Sequence, residues 1–167
     1  MNATETVKNS FIFNTLNDEQ LAKVVNITRE RRFDKGSVIM HEGHEGDAMY
    51  MIAKGEVEVS KSLTMKFGDD DYRQKEKVLS RFRPEDHVVF GEMALIAKGT
   101  RSASITARTD CVLLEITRDD FLKLIKEEPD MGVTILLKIS ELLIDRLKHS
   151  DQDVIRLTTA LSIALSG

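Results

Sequence analysis

The chain has 167 residues, of which 41% are hydrophobic and 31% charged, and its formal net charge at pH 7 is −4. That length and composition fit one globular domain with a full core, and they exclude a largely disordered chain. The negative charge balance argues against nonspecific binding to nucleic acid or to an anionic membrane, because such surfaces depend on dense lysine and arginine.

The location of the protein is predicted from what the sequence lacks. The first ten residues contain no apolar signal-peptide segment, and no stretch approaches the roughly 18 apolar residues that a membrane span requires. We therefore expect a cytoplasmic protein without membrane contact. Its single cysteine, Cys111, has no partner for an internal disulfide and stands in an apolar run, which predicts an unreactive thiol in the core.

Within a single domain over residues 1–167, residues 1–30 are predicted to form helices. Asn17 and, three residues later, Gln20 form a capping box, in which each side chain can satisfy a free backbone N–H group at the start of a helix. The helix that follows has an apolar face made of Leu21, Val24 and Val25.

Residues 31–116 are predicted to form an antiparallel β-sandwich or jelly roll. Short β-rich runs alternate there with turns that contain Gly, Asp or Lys-Gly. The clearest runs are SVIM, AMYMIA, EVEVS, KVLSRF, SASITA and CVLLEI. Ala53-Lys54-Gly55 predicts a hairpin between two strands, and KFGDDDYRQKEK predicts a solvated loop. The aspartates of that loop, Asp69 to Asp71, lack the spacing of a calcium site.

Residues 117–167 are predicted to form a short hinge helix, Arg118 to Lys126, and a long final helix that begins at Pro129. Apolar and small residues recur in the final helix at alternating spacings of four and three, which is typical of a heptad seam. They are Leu136, Ser140, Leu143, Leu147, Ser150, Val154, Leu157, Leu161 and Ala164. The end of this seam reaches beyond a small barrel and predicts a parallel homodimer, whereas its first two turns can pack on the barrel itself.

The segment FGEMALIAKGTRSASITA, which begins at Phe90, carries the strongest functional signal. Arg101 offers a planar fork of donors that stays charged at any working pH, and this suits a pair of phosphate oxygens. Glu92, nine residues earlier, would repel a phosphate. Its carboxylate is better explained as an acceptor for two neighbouring hydroxyl groups, such as those of a ribose.

The residues beside this acid and this base suit the same ligand. Gly91 has no side chain, so backbone can approach a ligand closely, and a helical turn that begins at Met93 could direct N–H groups at an anion. Ser102 adds a hydroxyl group next to the arginine, and Ala103 leaves its backbone N–H accessible. The segment therefore predicts a site for one phosphate and one ribose.

These residues resemble the phosphate-binding cassette of cyclic nucleotide-binding domains, the sensor domains of catabolite activators and of protein kinase A regulatory subunits. The family pattern is FGE-[LM]-A-L followed by an arginine and small residues, and positions between Gly36 and Val59 match its first half as well. The resemblance implies an eight-stranded jelly roll with flanking helices that binds cyclic AMP or cyclic GMP without a metal. It also implies that Glu92 contacts the ribose 2′-hydroxyl and Arg101 the cyclic phosphate.

The resemblance also extends to the long helix, which in catabolite activators pairs two subunits and closes over the base. It places Arg146, Ser150 and Asp151 where relatives contact the base, the last two across the dimer. Ordinary surface positions on a helix are the alternative for all three. The chain ends with this helix, so we expect no direct DNA binding by it, and the sequence identifies no downstream protein partner.

The leading function is thus a regulatory module in which a cyclic nucleotide repositions the C-terminal helices. Ser102 favours cyclic AMP by comparison with bacterial relatives, and a domain specific for cyclic GMP is an alternative, as is a degenerate domain that only dimerises. A cupin-type jelly-roll enzyme would need His-x-His with a later Glu and His. The four histidines lack that spacing, and no nucleophile motif is present, so we expect no enzyme. The four histidines are His41, His44, His87 and His149.

Overall fold

The structure is a computed structural model that describes residues 2–66 and 72–166, and two antiparallel sheets form its centre. The strands of the described part are β1 (Arg29–Phe33), β2 (Val38–Met40), β3 (Ala48–Lys54), β4 (Val57–Lys66), β5 (Tyr72–Phe82), β6 (Val89–Phe90), β7 (Ser104–Ala107) and β8 (Cys111–Thr117). One sheet has the order β1-β8-β3-β6 and the other β2-β7-β4-β5. The expected eight-stranded jelly roll is confirmed.

The helices flank these sheets. In the described part they are α1 (Ala3–Asn9), α2 (Asp18–Asn26), α3 (Met93–Ile96), α4 (Arg118–Glu127) and α5 (Pro129–Leu165). The predicted capping box starts α2, because Asn17 Oδ1 accepts the N–H of Gln20 at 2.9 Å and Gln20 Oε1 accepts the N–H of Asn17 at 3.0 Å. The expected first residues of the two C-terminal helices are confirmed as well. No helix within the described ranges is both long and apolar enough to cross a membrane.

Strand β3 separates two cores, which explains why its sequence is an unbroken apolar run. Met49 and Met51 face a helical core together with residues of α1, α2, α4 and the first half of α5. Tyr50 and Ile52 face the interior between the sheets. Cys111 is buried in that interior, as the sequence predicts.

Two local predictions are wrong. Ala53-Lys54-Gly55 does not close a hairpin, because β3 and β4 belong to different sheets. Gly55 instead passes the chain between the sheets at a φ of +93°, where a Cβ atom would lie 2.6 Å from the carbonyl oxygen of Asp110. The predicted loop KFGDDDYRQKEK is shorter than expected because β5 already begins at Tyr72. The candidate cation ligands Asp69 to Asp71 lie outside the described residues.

Helix α5 changes its surroundings halfway along. Met131, Ile135 and Ile139 are buried, and Leu136 and Leu143 pack half-buried against the same core. The first turns of the predicted seam therefore pack on the domain itself. From residue 144 to residue 165 every position is exposed. The exposed apolar side chains of α5 include Val133, Leu137, Ile144, Leu147, Val154, Leu157, Leu161 and Leu165.

Candidate functional site

A cavity of about 800 Å³ lies between the second sheet, the segment 88–103 and helix α5. Sites for small molecules typically have volumes of roughly 300–1,000 Å³. The cavity brings together all six cassette residues predicted from the sequence, namely Gly91, Glu92, Met93, Arg101, Ser102 and Ala103. Of the residues predicted on α5, Arg146 and Ser150 line it. Asp151 is exposed and does not line it.

Arg101 is half-buried and lacks a carboxylate partner among the described residues. Its Nη1 donates a long hydrogen bond, 3.4 Å, to the carbonyl oxygen of Gly91. Burial lowers the pKa of its guanidinium below the ordinary value, and the nearby Tyr50, Asp47 and Glu92 oppose that shift. A desolvated cation without a paired anion is an electrostatic site for an anionic ligand.

The Arg101 guanidinium occupies space beside two glycines, and a side chain at either glycine would collide with it. A Cβ atom on Gly46 would overlap Nε of Arg101, and a Cβ atom on Gly91 would lie 2.6 Å from its Nη1. Gly91 also has a φ of +77°, which other residues rarely adopt. The backbone of Arg101 is fixed as well, because its N–H donates to the carbonyl oxygen of His44 at 2.8 Å. The orientation of this arginine is therefore set by backbone on several sides.

Glu92 is the buried carboxylate of the site, with 1% of its surface exposed. Its Oε1 accepts a hydrogen bond from Nη1 of Arg146 at 2.5 Å. No described residue donates a hydrogen bond to Oε2, which is itself buried. A buried carboxylate oxygen without a donor is costly, so this atom is the natural acceptor for a ligand hydroxyl group.

Arg146 joins the exposed half of α5 to the barrel. Besides its ion pair with Glu92, its Nη2 donates to the carbonyl oxygen of Val89 on β6 at 3.0 Å. Both partners belong to the segment that carries the cassette. Arg146 therefore forms a side-chain link between α5 and the segment that carries the cassette.

Sequence reasoning missed two further residues of α5, His149 and Asp153, which line the cavity. They follow Arg146 by three and seven positions, so they share its helical face. That spacing could have identified them once Arg146 was assigned. Sequence reasoning also missed the opposite wall, to which the second sheet contributes Val59, Lys61, Leu79 and Phe82. Strand pairing and curvature place these residues, and no local motif reveals them.

Tyr50 supports the barrel beside the cavity. Its hydroxyl group donates to Oε1 of Glu115 at 2.8 Å, and its ring stacks on Phe90 with centroids 5.8 Å apart. Burial, and then the hydrogen bond to the Glu115 carboxylate, raise the pKa of Tyr50 to about 12. These two contacts join β3 to β8 and to β6 beside the site.

A second contact links the cassette to the C-terminal helices. Arg118, the first residue of α4, donates from Nη2 to the carbonyl oxygen of Ile96 at the end of α3, at 3.5 Å. As for metals, no group of three or more His, Cys, Asp or Glu side chains in the described ranges is arranged to hold an ion. His41 and His44 are exposed and contact each other through their rings.

Comparisons with known proteins agree with this geometry. Residues 30–128 match the family described as "Cyclic nucleotide-binding domain". The cyclic AMP receptor protein of Thermus thermophilus is 29% identical over 148 residues, which are 89% of this chain and 62% of that protein. Human cGMP-dependent protein kinase 2 is 33% identical over 111 residues, 66% of this chain and 13% of the kinase. The chain thus spans less than two thirds of either relative.

Solved structures show the same architecture. The crystal structure of the Thermus thermophilus catabolite activator protein has a TM-score of 0.74 at 30% identity, covering 89% of this chain and 63% of that one. The N-terminal domain of a transcriptional regulator from Streptomyces coelicolor has a TM-score of 0.72 at 24% identity, covering 87% of this chain and 94% of that one. The second similarity is evidence for the fold alone.

Proposed function

Because the chain belongs to the cyclic nucleotide-binding domain family, we propose that its cavity binds cyclic AMP and that binding repositions α4 and α5. The family is a regulatory binding domain and not an enzyme. One observation carries the assignment of the cavity. Two groups that lack a partner among the described residues line the same space: an arginine without a carboxylate, and a buried carboxylate oxygen without a donor.

The phosphate end of the ligand is assigned to Arg101. A cyclic phosphate is an anion with two free oxygens, which matches the planar fork of a guanidinium. Ser102 and Ala103 line the cavity beside it and offer a hydroxyl group and a backbone N–H. The ribose is assigned to Glu92, whose Oε2 would accept the 2′-hydroxyl group while Oε1 keeps its pair with Arg146.

Movement of the helices is proposed from their contacts with the cassette. Arg146 ties α5 to Glu92, and Arg118 ties α4 to the end of α3. A ligand that alters either contact shifts the equilibrium between two arrangements of the helices. The size of this shift is set by the difference in the ligand's affinity for the two arrangements. Coupling free energies between such sites are typically about 1–3 kcal/mol.

The choice of cyclic AMP is supported by Ser102 and by the similarity to the cyclic AMP receptor protein. Cyclic GMP is the second candidate, favoured by the similarity to the cGMP-dependent kinase. The exposed apolar stripe of α5 supports a parallel homodimer, because water-exposed leucines at heptad spacing are stabilised by a partner helix.

Isothermal titration with cyclic AMP, cyclic GMP and linear 5′-AMP tests this function. We expect saturable binding of a cyclic nucleotide and much weaker binding of the linear control. Failure to bind either cyclic nucleotide would contradict the proposal. Sedimentation velocity on the same samples counts the subunits, and Leu161→Asp, at an exposed seam position, should shift a dimer to monomer.

A further inference from the structure

We propose that four exposed lysines form a positively charged rim beside the cavity, which raises the rate at which an anionic nucleotide associates. The inference rests on the proposed function and adds to it a surface that reaches beyond the cavity lining. The rim consists of Lys61, Lys75, Lys77 and Lys98, and all four side chains are exposed.

The charge balance of the cavity lining is opposite to that of the whole chain. Among the described residues that line the cavity, four are Lys or Arg and two are Asp or Glu, whereas the chain contains 24 and 28 of these residues. One of the two acids, Glu92, is already paired with Arg146. Lys61 and Lys98 line the cavity, and neither forms an ion pair within the described ranges. Positive charge is therefore concentrated at this place on an otherwise acidic protein.

The two strands β4 and β5 carry this positive charge beyond the lining. Strand β4 pairs with β7 over residues 57–60, whereas its pairing with β5 continues over residues 61–66. From Lys61 onward, β4 and β5 therefore extend past β7 as a two-stranded ribbon. Residues 61–63 and 75–80 of this ribbon are exposed.

The register of the ribbon places its lysines on the side of the cavity. Lys77 lies opposite Lys61, and Lys75 lies opposite Leu63. Directly opposite residues share one face of an antiparallel pair, and residues two apart on a strand share a face as well. Because Lys61 lines the cavity, Lys75 and Lys77 belong to the face that continues the cavity wall. Neither Lys75 nor Lys77 lines the cavity itself.

Lys61 and Lys77 form an unfavourable pair across the two strands. Like charges directly opposite each other destabilise an antiparallel pair. Glu76 is opposite Ser62, on the other face of the ribbon. The carboxylate of Glu42 reaches the ribbon, but it accepts the backbone N–H of Ser62 at 2.8 Å. A like-charge pair that weakens the fold at an exposed position points to a role outside folding.

The physical effect of the rim is on the encounter with the ligand. A cluster of one charge sign beside a cavity raises the local concentration of an oppositely charged ligand and its association rate. Lysines that do not touch the bound ligand leave its dissociation rate unchanged. Salt removes the effect, because the screening length falls from about 30 Å at 0.01 M to about 3 Å at 1 M ionic strength.

Stopped-flow fluorescence with cyclic AMP that carries a fluorophore on its base measures both rates. The label is needed because the chain contains no tryptophan. At about 10 mM salt, Lys77→Glu should associate about three-fold more slowly than the wild type, and Lys75→Glu combined with Lys77→Glu about ten-fold more slowly. The dissociation rates should be equal. At about 1 M salt the association rates of the wild type and both variants should converge.

Two controls separate the rim from net charge and from folding. Lys35→Glu changes the net charge by the same amount and should associate like the wild type. Its backbone N–H donates to Oδ1 of Asp110 at 3.0 Å, and the next residue, Gly36, bonds to the last residue of β7, at the end away from the cassette. Lys77→Glu places opposite charges across from each other at Lys61, so its midpoint of urea denaturation should rise.

Equal association rates of the wild type and the double variant at low salt would overturn the role of the rim and leave the proposed function standing. Faster dissociation from the double variant at an unchanged association rate would also overturn it, because the lysines would then hold the bound ligand. Equal slowing by Lys35→Glu would assign the effect to net charge instead of the rim. Absence of binding of any cyclic nucleotide to the wild type would overturn the proposed function together with this inference.

Discussion

The two arginines of the cavity are held in opposite ways. Arg101 lies against backbone, in space that is open because Gly46 and Gly91 have no side chains. It has no carboxylate partner among the described residues. Arg146 stands on the exposed half of α5 and depends on Glu92 and one carbonyl oxygen for its position. The barrel end of the site is therefore preorganised, whereas the helix end is held by a contact that can change. One preorganised end and one adjustable end are what the proposed sensor function requires.

Replacement of the preorganised cation should have the largest effect. Arg101→Ala removes a charge-assisted pair with the phosphate, which is expected to cost about 2–5 kcal/mol of binding free energy if that phosphate is desolvated. Arg101→Lys should retain only part of this binding free energy, because an ammonium lacks the planar fork of donors. Isothermal titration measures both. Arg108→Ala, whose exposed side chain faces Glu58, is the matched control. Unchanged affinity in Arg101→Ala would remove the phosphate role.

Loss of the helix-end cation should act on stability as well as on binding. Arg146→Ala leaves both oxygens of the buried Glu92 without a described donor, at a cost of about 1–3 kcal/mol in the free energy of unfolding. Urea denaturation measures this cost. Arg146→Ala combined with Glu92→Gln should recover part of it, because the amide carries no charge. Arg156 is an exposed arginine on the same helix, and Arg156→Ala is the control. If Arg146→Ala is as stable as this control, the contact between Arg146 and Glu92 does not stabilise the fold.

A methyl group on Gly46 tests whether backbone holds Arg101 in place, and it changes no charge. Its Cβ would overlap the Arg101 guanidinium, so Gly46→Ala should reorient that side chain and weaken ligand binding by about ten-fold. Gly99→Ala is the control, because a Cβ there meets no atom within 4 Å. Near-normal affinity in Gly46→Ala would mean that the backbone does not fix the arginine.

The smallest effect is expected from the tyrosine that supports the barrel end. The folded pKa of Tyr50 is about 12, above its ordinary value of 10, so the fold favours the protonated phenol. Its stabilising contribution is present below pH 10 and is lost as the pH rises from 10 to 12. Tyr50→Phe should lower the free energy of unfolding by about 1 kcal/mol at pH 8 and by less near pH 11.5. A pH-independent difference in urea denaturation would contradict the role of the hydroxyl group.

Local signals predicted much of this molecule. The capping box at Asn17, the start of α5 at Pro129 and the joint presence of Glu92 and Arg101 in one cavity all follow from residues close together in the sequence. The predicted hairpin at Gly55 failed because turn chemistry shows that the chain reverses, but not which strand it pairs with. The start of β5 was misplaced because the sequence that follows Tyr72 is charged and shows no apolar alternation.

The sequence by itself determined the fold class and the chemistry of the cassette, because strand periodicity, capping and the spacing of one acid and one base are local properties of the chain. Only the tertiary structure decided that Arg146 pairs with Glu92, that one oxygen of that carboxylate lacks a described donor, and that His149 and Asp153 face the cavity. These contacts join residues more than fifty positions apart or depend on the rotation of a long helix. Packing of the first half of α5 in the helical core sets that rotation.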